Sequence, residues 1–250
     1  MERPSPLLEV HGLTKRFGGV EALIDVDFAV GGHEVVALVG DNAAGKSTLA
    51  RVLSGVVSPD AGRILFEGEP VVLSSAQQAL RLGIATVFQE TALCENLDVA
   101  SNIFLGRERF TGGLLDEDEM EFLARDYLDR LGSRIPDVRV PLHRLTAGQR
   151  QCVAVARTLV TEPRLVILDE PTASMSISQT AEVLVHIERL RDMGLGVVYI
   201  SHNLVDVHAV ADRIEVLRHG RNNGSFDAYE STTEEVIAAI TGASRIPLRR

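Results

Sequence analysis

The sequence predicts an α/β domain built on a mostly parallel sheet, and three observations carry that prediction. Continuous apolar runs at Val35–Val39, Leu165–Leu168 and Val197–Ile200 lack the polar alternation of a half-wet strand, as expected where both faces are covered. Turn or helix-start residues follow them, so strands and helices alternate along the chain. Val, Leu, Ile and Ala dominate, while aromatic residues make up 4% and Trp is absent. That mix suits buried parallel strands covered by helices.

Taken in order, Leu7–Val10 and Ile24–Val30 read as strands joined through a turn at Gly18-Gly19. Val35–Val39 runs into a Gly-rich loop and then a helix from Lys46 to about Leu53, stopped by Gly55. Pro59-Asp60-Ala61-Gly62 marks a turn between Val56–Ser58 and Arg63–Phe66, and Ile84–Phe88 is a strand ending at Gln89. From about Glu90 to Arg144 the texture is helix and loop. Asp116 and Glu119 make a capping pair, Leu123, Ala124, Tyr127, Leu128 and Leu131 share one helical face, and Gly132 closes it. The alternation then resumes with a helix at about Gln149–Val160, the strand Leu165–Leu168 and a helix near Gln179–Met193. Val197–Ile200, a short helix, the strand Ile214–Leu217 and a last helix at about Glu234–Ile240, stopped by Gly242, complete the series. The tail Ser244–Arg250 is expected to fray.

A length of 250 residues supports one full-sized core, and the whole chain is expected to be a single domain, with the helical stretch of about 90–160 inserted in it. The formal charge of −10 argues against a broad nucleic-acid surface, which needs clustered cations. Met1–Pro6 has neither the apolar core nor the cleavage pattern of a secretion signal, and no run of 18 apolar residues occurs, so membrane association is expected only through a partner. Cys94 and Cys152 stand in no metal-ligand spacing and read as reduced thiols.

Three segments carry chemistry. Gly40-Asp41-Asn42-Ala43-Ala44-Gly45-Lys46-Ser47-Thr48 fits the phosphate-binding pattern of Gly, four residues, then Gly-Lys-Ser/Thr. Its glycines let backbone N–H groups turn toward phosphate oxygens, the helix N-terminus adds partial positive charge, Lys46 adds a full cation, and the Ser47 hydroxyl suits Mg²⁺. The competing reading is a plain strand–turn–helix link. Leu165–Leu168 ends in Asp169-Glu170, one carboxylate placed to hold Mg²⁺ and the next to polarise a water attacking a γ-phosphate. The alternative there is an acidic strand-to-loop transition. Leu145-Thr146-Ala147-Gly148-Gln149 has capping-box spacing; it caps a helix and, with Gly148 allowing close approach, offers an anion site.

With these motifs in this order, residues 7–242 resemble the ATP-binding cassette family, a branch of the phosphate-loop NTPases. The resemblance implies a RecA-like core with a mostly parallel sheet, an N-terminal antiparallel β subdomain and an inserted helical subdomain. It implies ATP and Mg²⁺ as ligands, and ATP held between the phosphate loop of one copy and the signature Leu145–Gln149 of another in a head-to-tail homodimer. Glu170 then matches the catalytic base, Lys46 the phosphate cation, and Ser47 and Asp169 the Mg²⁺ ligands. Gln89 matches the glutamine that senses Mg²⁺ and contacts the membrane partner, His202 the switch histidine that contacts the γ-phosphate, and Phe17 the aromatic residue, normally Tyr, that stacks on adenine. Ala43 replaces a loop glycine, Ala147 a signature glycine, Thr146 a serine, and Ser176 the aspartate ending a loop; together they point to a working but slow ATPase.

Asn102–Glu108, Ile200–Asn203, Ala211–Ile214 and Ile240–Ala243 resemble monosaccharide importers in their single-cassette form, whereas Leu13–Gly19 is shared with branched-chain amino-acid importers. The implied partners are transmembrane permease subunits and, indirectly, an extracytoplasmic solute-binding protein, which sets the chain in the cytoplasm on the inner face of the membrane. The alternatives are another solute importer, a cassette ATPase of translation or DNA repair, and a regulator with weak turnover.

Overall fold

A computed structural model of the protein describes residues 6–243, so the expected frayed tail lies outside the described residues. Two sheets organise it. The first is antiparallel, with strands β1 (Leu8–Phe17), β2 (Val20–Val30), β4 (Ala61–Phe66) and β5 (Glu69–Val71) in the order β2-β1-β4-β5. The second has six strands: β3 (Val35–Val39), β6 (Ile84–Val87), β9 (Leu165–Asp169), β10 (Gly196–Ile200), β11 (Arg213–Arg218) and β12 (Arg221–Asp227). Their order is β12-β11-β3-β10-β9-β6; the pairs from β11 to β6 are parallel, and β12 is an antiparallel edge strand.

The apolar runs are explained by cores on both faces of this sheet. Val35, Ala37 and Val39 enter one core, and Val36 and Leu38 the other. The same period-two split divides Val166 and Leu168 from Leu165 and Ile167, and Val197 and Tyr199 from Val198 and Ile200. One core packs under α1 (Lys46–Leu53), α2 (Ala76–Arg81) and the antiparallel sheet. The other lies under α3 (Val99–Phe104), α4 (Glu117–Arg130), α5 (Ala147–Leu159), α6 (Ile177–Asp192), α7 (Leu204–Val210) and α8 (Thr233–Thr241).

Helix starts follow the capping chemistry. Asp116 accepts from the Glu119 N–H at 3.0 Å, and Thr146 and Thr232 form capping boxes with Gln149 and Glu235. Elsewhere the structure departs from the sequence expectation. Val56–Ser58 is irregular, and Ala61 and Gly62 already belong to β4, because the backbone there pairs with β1. β12, β5, α2 and the hairpin β7 (Phe110–Thr111) with β8 (Leu114–Leu115) carry no strong local periodicity; β12 reads Arg-Asn-Asn-Gly-Ser-Phe-Asp and is a strand because β11 offers it a ladder. No helix among the described residues is long and apolar enough to cross a membrane. Both cysteines are free, and burial pushes the Cys152 thiol up to about 12, which keeps it protonated.

Candidate active site

Because β11, β3, β10, β9 and β6 are parallel, the loops after them leave from one edge of the sheet. In such sheets that edge is where ligands bind. Residues 40–45 follow β3, Gln89 follows β6, Glu170 follows β9 and His202 follows β10.

The loop after β3 is built for backbone crowding. At Gly40, φ is 153° and a Cβ would stand 2.2 Å from the Leu217 carbonyl oxygen; at Gly45, φ is 107° and a Cβ would stand 2.7 Å from the Ala22 oxygen. Any side chain at either place collides with backbone. Ala44 N–H donates to the Asp41 carbonyl at 3.1 Å, and its own carbonyl accepts from Gly220 N–H at 3.0 Å. Gly220 thus ties the loop to the β11–β12 turn and, through the Ile24 N–H, to β2. Nothing in the local sequence around Gly220 signals this support. Asn42 N–H donates to the Asp41 carboxylate at 2.8 Å. Lys46 opens α1 with its amino group folded back, donating to the Gly40 carbonyl at 2.8 Å and the Asp41 carbonyl at 3.1 Å, and Thr48 lies in the same first turn.

Ala43 sits at φ 62°, the left-handed region, on the exposed side of the loop. An L-residue there costs about 1–2 kcal/mol relative to glycine, partly offset by the greater freedom glycine has when unfolded. Ala43→Gly is therefore expected to raise unfolding stability by a few tenths to about 1 kcal/mol, measured by urea denaturation of the nucleotide-free protein. Equal or lower stability would show that the loop is not strained at Ala43.

Ser47 and Asp169 meet across the edge, the hydroxyl donating to the carboxylate at 3.4 Å. Burial pushes the Asp169 carboxyl up, as does the neighbouring Glu170 charge, while the Ser47 hydroxyl, Arg51 and Lys46 pull it down. A cation placed there would relieve that penalty. The donors present are hard oxygens with one carboxylate, and no group of three or more His, Cys, Asp or Glu that could hold a metal occurs among the described residues. That donor set fits Mg²⁺, which keeps waters and shares phosphate oxygens, rather than a caged transition metal.

Glu170 is held in the left-handed region at φ 52°, its N–H donating to the Ile200 carbonyl at 3.0 Å. A non-glycine residue pays strain for that conformation, and here it turns the carboxylate to His202, whose Nδ1 lies 2.7 Å from Glu170 Oε2. The carboxylate accepts, so Nδ1 carries the hydrogen. Beneath this pair run polar groups that sequence reasoning missed. Thr172 Oγ1 lies 3.4 Å from both the Tyr199 hydroxyl and Asp206 Oδ2. Tyr199 looked like one more apolar strand position; only its burial beside Thr172 shows the hydroxyl as part of the site floor.

Other candidates lie apart. Gln89 is exposed beyond β6, and no hydrogen bond among the described residues joins it to Ser47 or Asp169. Thr146 and Gln149 bond to each other at the start of α5, which packs on α3, α4, α6 and β6. Ala147 is exposed, while Gly148 is buried against α6: a Cβ there would stand 3.1 Å from Glu182 Oε2 and 3.3 Å from Gln179 Cβ. Gly148 therefore answers to helix packing in this chain, a reason the motif alone did not suggest. Ser176, lacking the charge of aspartate, caps α6 in a box with Gln179. Phe17 ends β1, 47% exposed, with Lys15 Nζ 5.4 Å from its ring centroid.

Comparison with known proteins agrees with this architecture. The family described as ABC transporter matches residues 23–173. The chain is 44% identical over 248 residues to a ribose import ATP-binding protein of Rubrobacter xylanophilus, covering 98% of this chain and 49% of that one. It is 41% identical to a xylose/arabinose import ATP-binding protein of Sulfolobus acidocaldarius, covering 95% and 94%, and 41% identical to a fructose import ATP-binding protein of Rhizobium meliloti, covering 97% and 96%. The chain thus spans about half the length of the ribose relative and nearly all of the other two. Among solved structures, cbiO1 from Clostridium perfringens, part of an ABC transporter complex, superposes with a TM-score of 0.80 at 28% identity, covering 96% of both chains. A nucleotide-free ATP-binding cassette from an ABC transporter matches in fold with a TM-score of 0.79 at 23% identity, covering 94% and 95%. A phosphate-type loop after β3, a Ser–Asp pair across the sheet edge and these relatives place the chain in one family: it belongs to the ATP-binding cassettes of ABC transporters.

Proposed function

We propose that the chain hydrolyses ATP to drive import of a monosaccharide through a membrane permease, working as a head-to-tail pair of copies. The observation that carries the ATPase reading is the convergence of Lys46, Ser47, Asp169, Glu170 and His202 on one sheet edge. In this reading Lys46 exchanges its carbonyl partners for the terminal phosphate oxygens, and the amides of residues 40–48 line the rest. Ser47 and Asp169, with Gln89 on the same edge, would hold Mg²⁺, which when bound would supply charge neutralisation for the phosphates. Glu170 orients the attacking water and takes its proton. His202 keeps that carboxylate aimed through Nδ1 and leaves Nε2 for a phosphate oxygen.

Among the described residues the hydrogen bonds of the signature Thr146–Gln149 stay within its own helix, which supports a second copy as its target. The helical stretch of about 90–160 would form a subdomain carrying that signature, with Gln89 at its base facing the permease. The names of the relatives, ribose, xylose/arabinose and fructose importers, share one substrate class, and that supports a monosaccharide over a branched-chain amino acid. An extracytoplasmic binding protein would present the sugar, and the chain would sit on the cytoplasmic face through its permease.

The test is phosphate release from Mg-ATP across protein concentration. A rate per chain that rises with concentration is expected for a site shared between copies. A concentration-independent rate would overturn the shared site, and ATP binding without release, with or without permease, would favour a nucleotide-gated regulator.

A further inference from the structure

The end of β1 holds an unusual arrangement for an exposed hairpin tip. The Lys15 side chain is only 14% exposed, and its ammonium lies 5.4 Å from the centroid of the Phe17 ring. Asp60 fixes it there: one carboxylate oxygen accepts from Lys15 Nζ at 2.9 Å and the other from the Arg16 N–H at 2.6 Å. Asp60 is itself tied back, its N–H donating to the Thr14 carbonyl at 2.8 Å. The turn before β4 thus clamps the last residues of β1 and pins a cation against one side of the ring. Phe17 is itself 47% exposed, so part of the residue stays accessible with the cation in place. The same hairpin borders the phosphate-type loop, since Ala22 and Leu23 crowd Gly45.

Physics gives this clamp a consequence. Face-to-face stacking of two π systems is opposed by the negative charge on both faces. A cation on one face draws π density toward itself and lessens that opposition on the other. Phe17 has no hydroxyl to fix its ring by a hydrogen bond, so the cation also settles the ring orientation.

We propose that Lys15 is a positioning residue for the nucleobase, holding Phe17 as a one-sided platform whose open face takes a single stacked purine. The proposal rests on the nucleotide reading above and adds a residue to it. Lys15 acts through Phe17 and touches no phosphate.

The test compares binding of Mg-ATP with that of Mg-tripolyphosphate, which has the phosphates and no base, by titration calorimetry. Lys15→Met is expected to weaken ATP binding about two- to fivefold and to leave tripolyphosphate unchanged; Lys15→Arg, which keeps the cation, restores the ATP value. Phe17→Leu is expected to weaken ATP binding about fivefold or more, and Lys15→Met added to it costs nothing further. If Lys15→Met weakens both ligands alike, or weakens ATP equally in the Phe17→Leu background, or leaves ATP binding untouched, Lys15 does not act through the ring and the proposal falls. If the wild-type chain binds neither ligand, the nucleotide reading itself falls and takes the platform with it.

Discussion

Glu170→Gln is expected to lower phosphate release by about two to four orders of magnitude while ATP affinity stays close to that of the unaltered protein. The two side chains have the same shape, and the backbone does not depend on which is present. The strained conformation at φ 52° is anchored by the Glu170 N–H on the Ile200 carbonyl, and the amide oxygen of Gln still accepts from His202 Nδ1. What is lost is a site able to take a proton from water. Phosphate release beside equilibrium nucleotide binding separates the two effects. Turnover at the unaltered rate would remove Glu170 as the base, and loss of ATP binding would mean that the carboxylate serves structure rather than chemistry.

Lys46→Met is expected to weaken ATP binding about tenfold to a hundredfold, from the loss of charged hydrogen bonds worth about 1.5–3 kcal/mol. Methionine matches the length of the aliphatic stem but donates nothing. The geometry gives the reason the effect is large: the ammonium lies over the loop, 2.8 Å from the Gly40 carbonyl, so the side chain needs little reordering to exchange that partner for phosphate. Removing it also strips a donor from the Gly40 and Asp41 carbonyls, so unfolding stability should fall by up to about 1–3 kcal/mol, and binding must be measured well below the melting temperature. Unchanged ATP affinity would show that the phosphates do not seat in this loop.

Much of the fold was legible because its strands are buried on both faces. Val35–Val39 and the helix Lys46–Leu53 occupy the residues expected, since an apolar run ending in a Gly-rich loop leaves few alternatives. Capping residues such as Asp116 and Thr146 were legible for a similar reason: their hydrogen bonds reach only three residues along the chain. β12, β5 and α2 were not legible, because edge strands and short helices take their conformation from a partner rather than from their own periodicity.

The amino-acid order by itself determined the buried parallel strands, the helices between them and the candidate residues Lys46, Ser47, Asp169, Glu170 and His202. Tertiary structure alone decided what those residues touch. Glu170 faces His202 because β9 and β10 are neighbours and the chain turns left-handed after Asp169. The approach of α6 crowds Gly148, Gly220 braces a loop far from it in sequence, and Lys15 lies over Phe17 because Asp60 reaches back from the turn before β4. Sequence periodicity reports which face of an element is apolar. It carries no record of which distant backbone will pass within van der Waals range of that face, and these contacts depend on that passage.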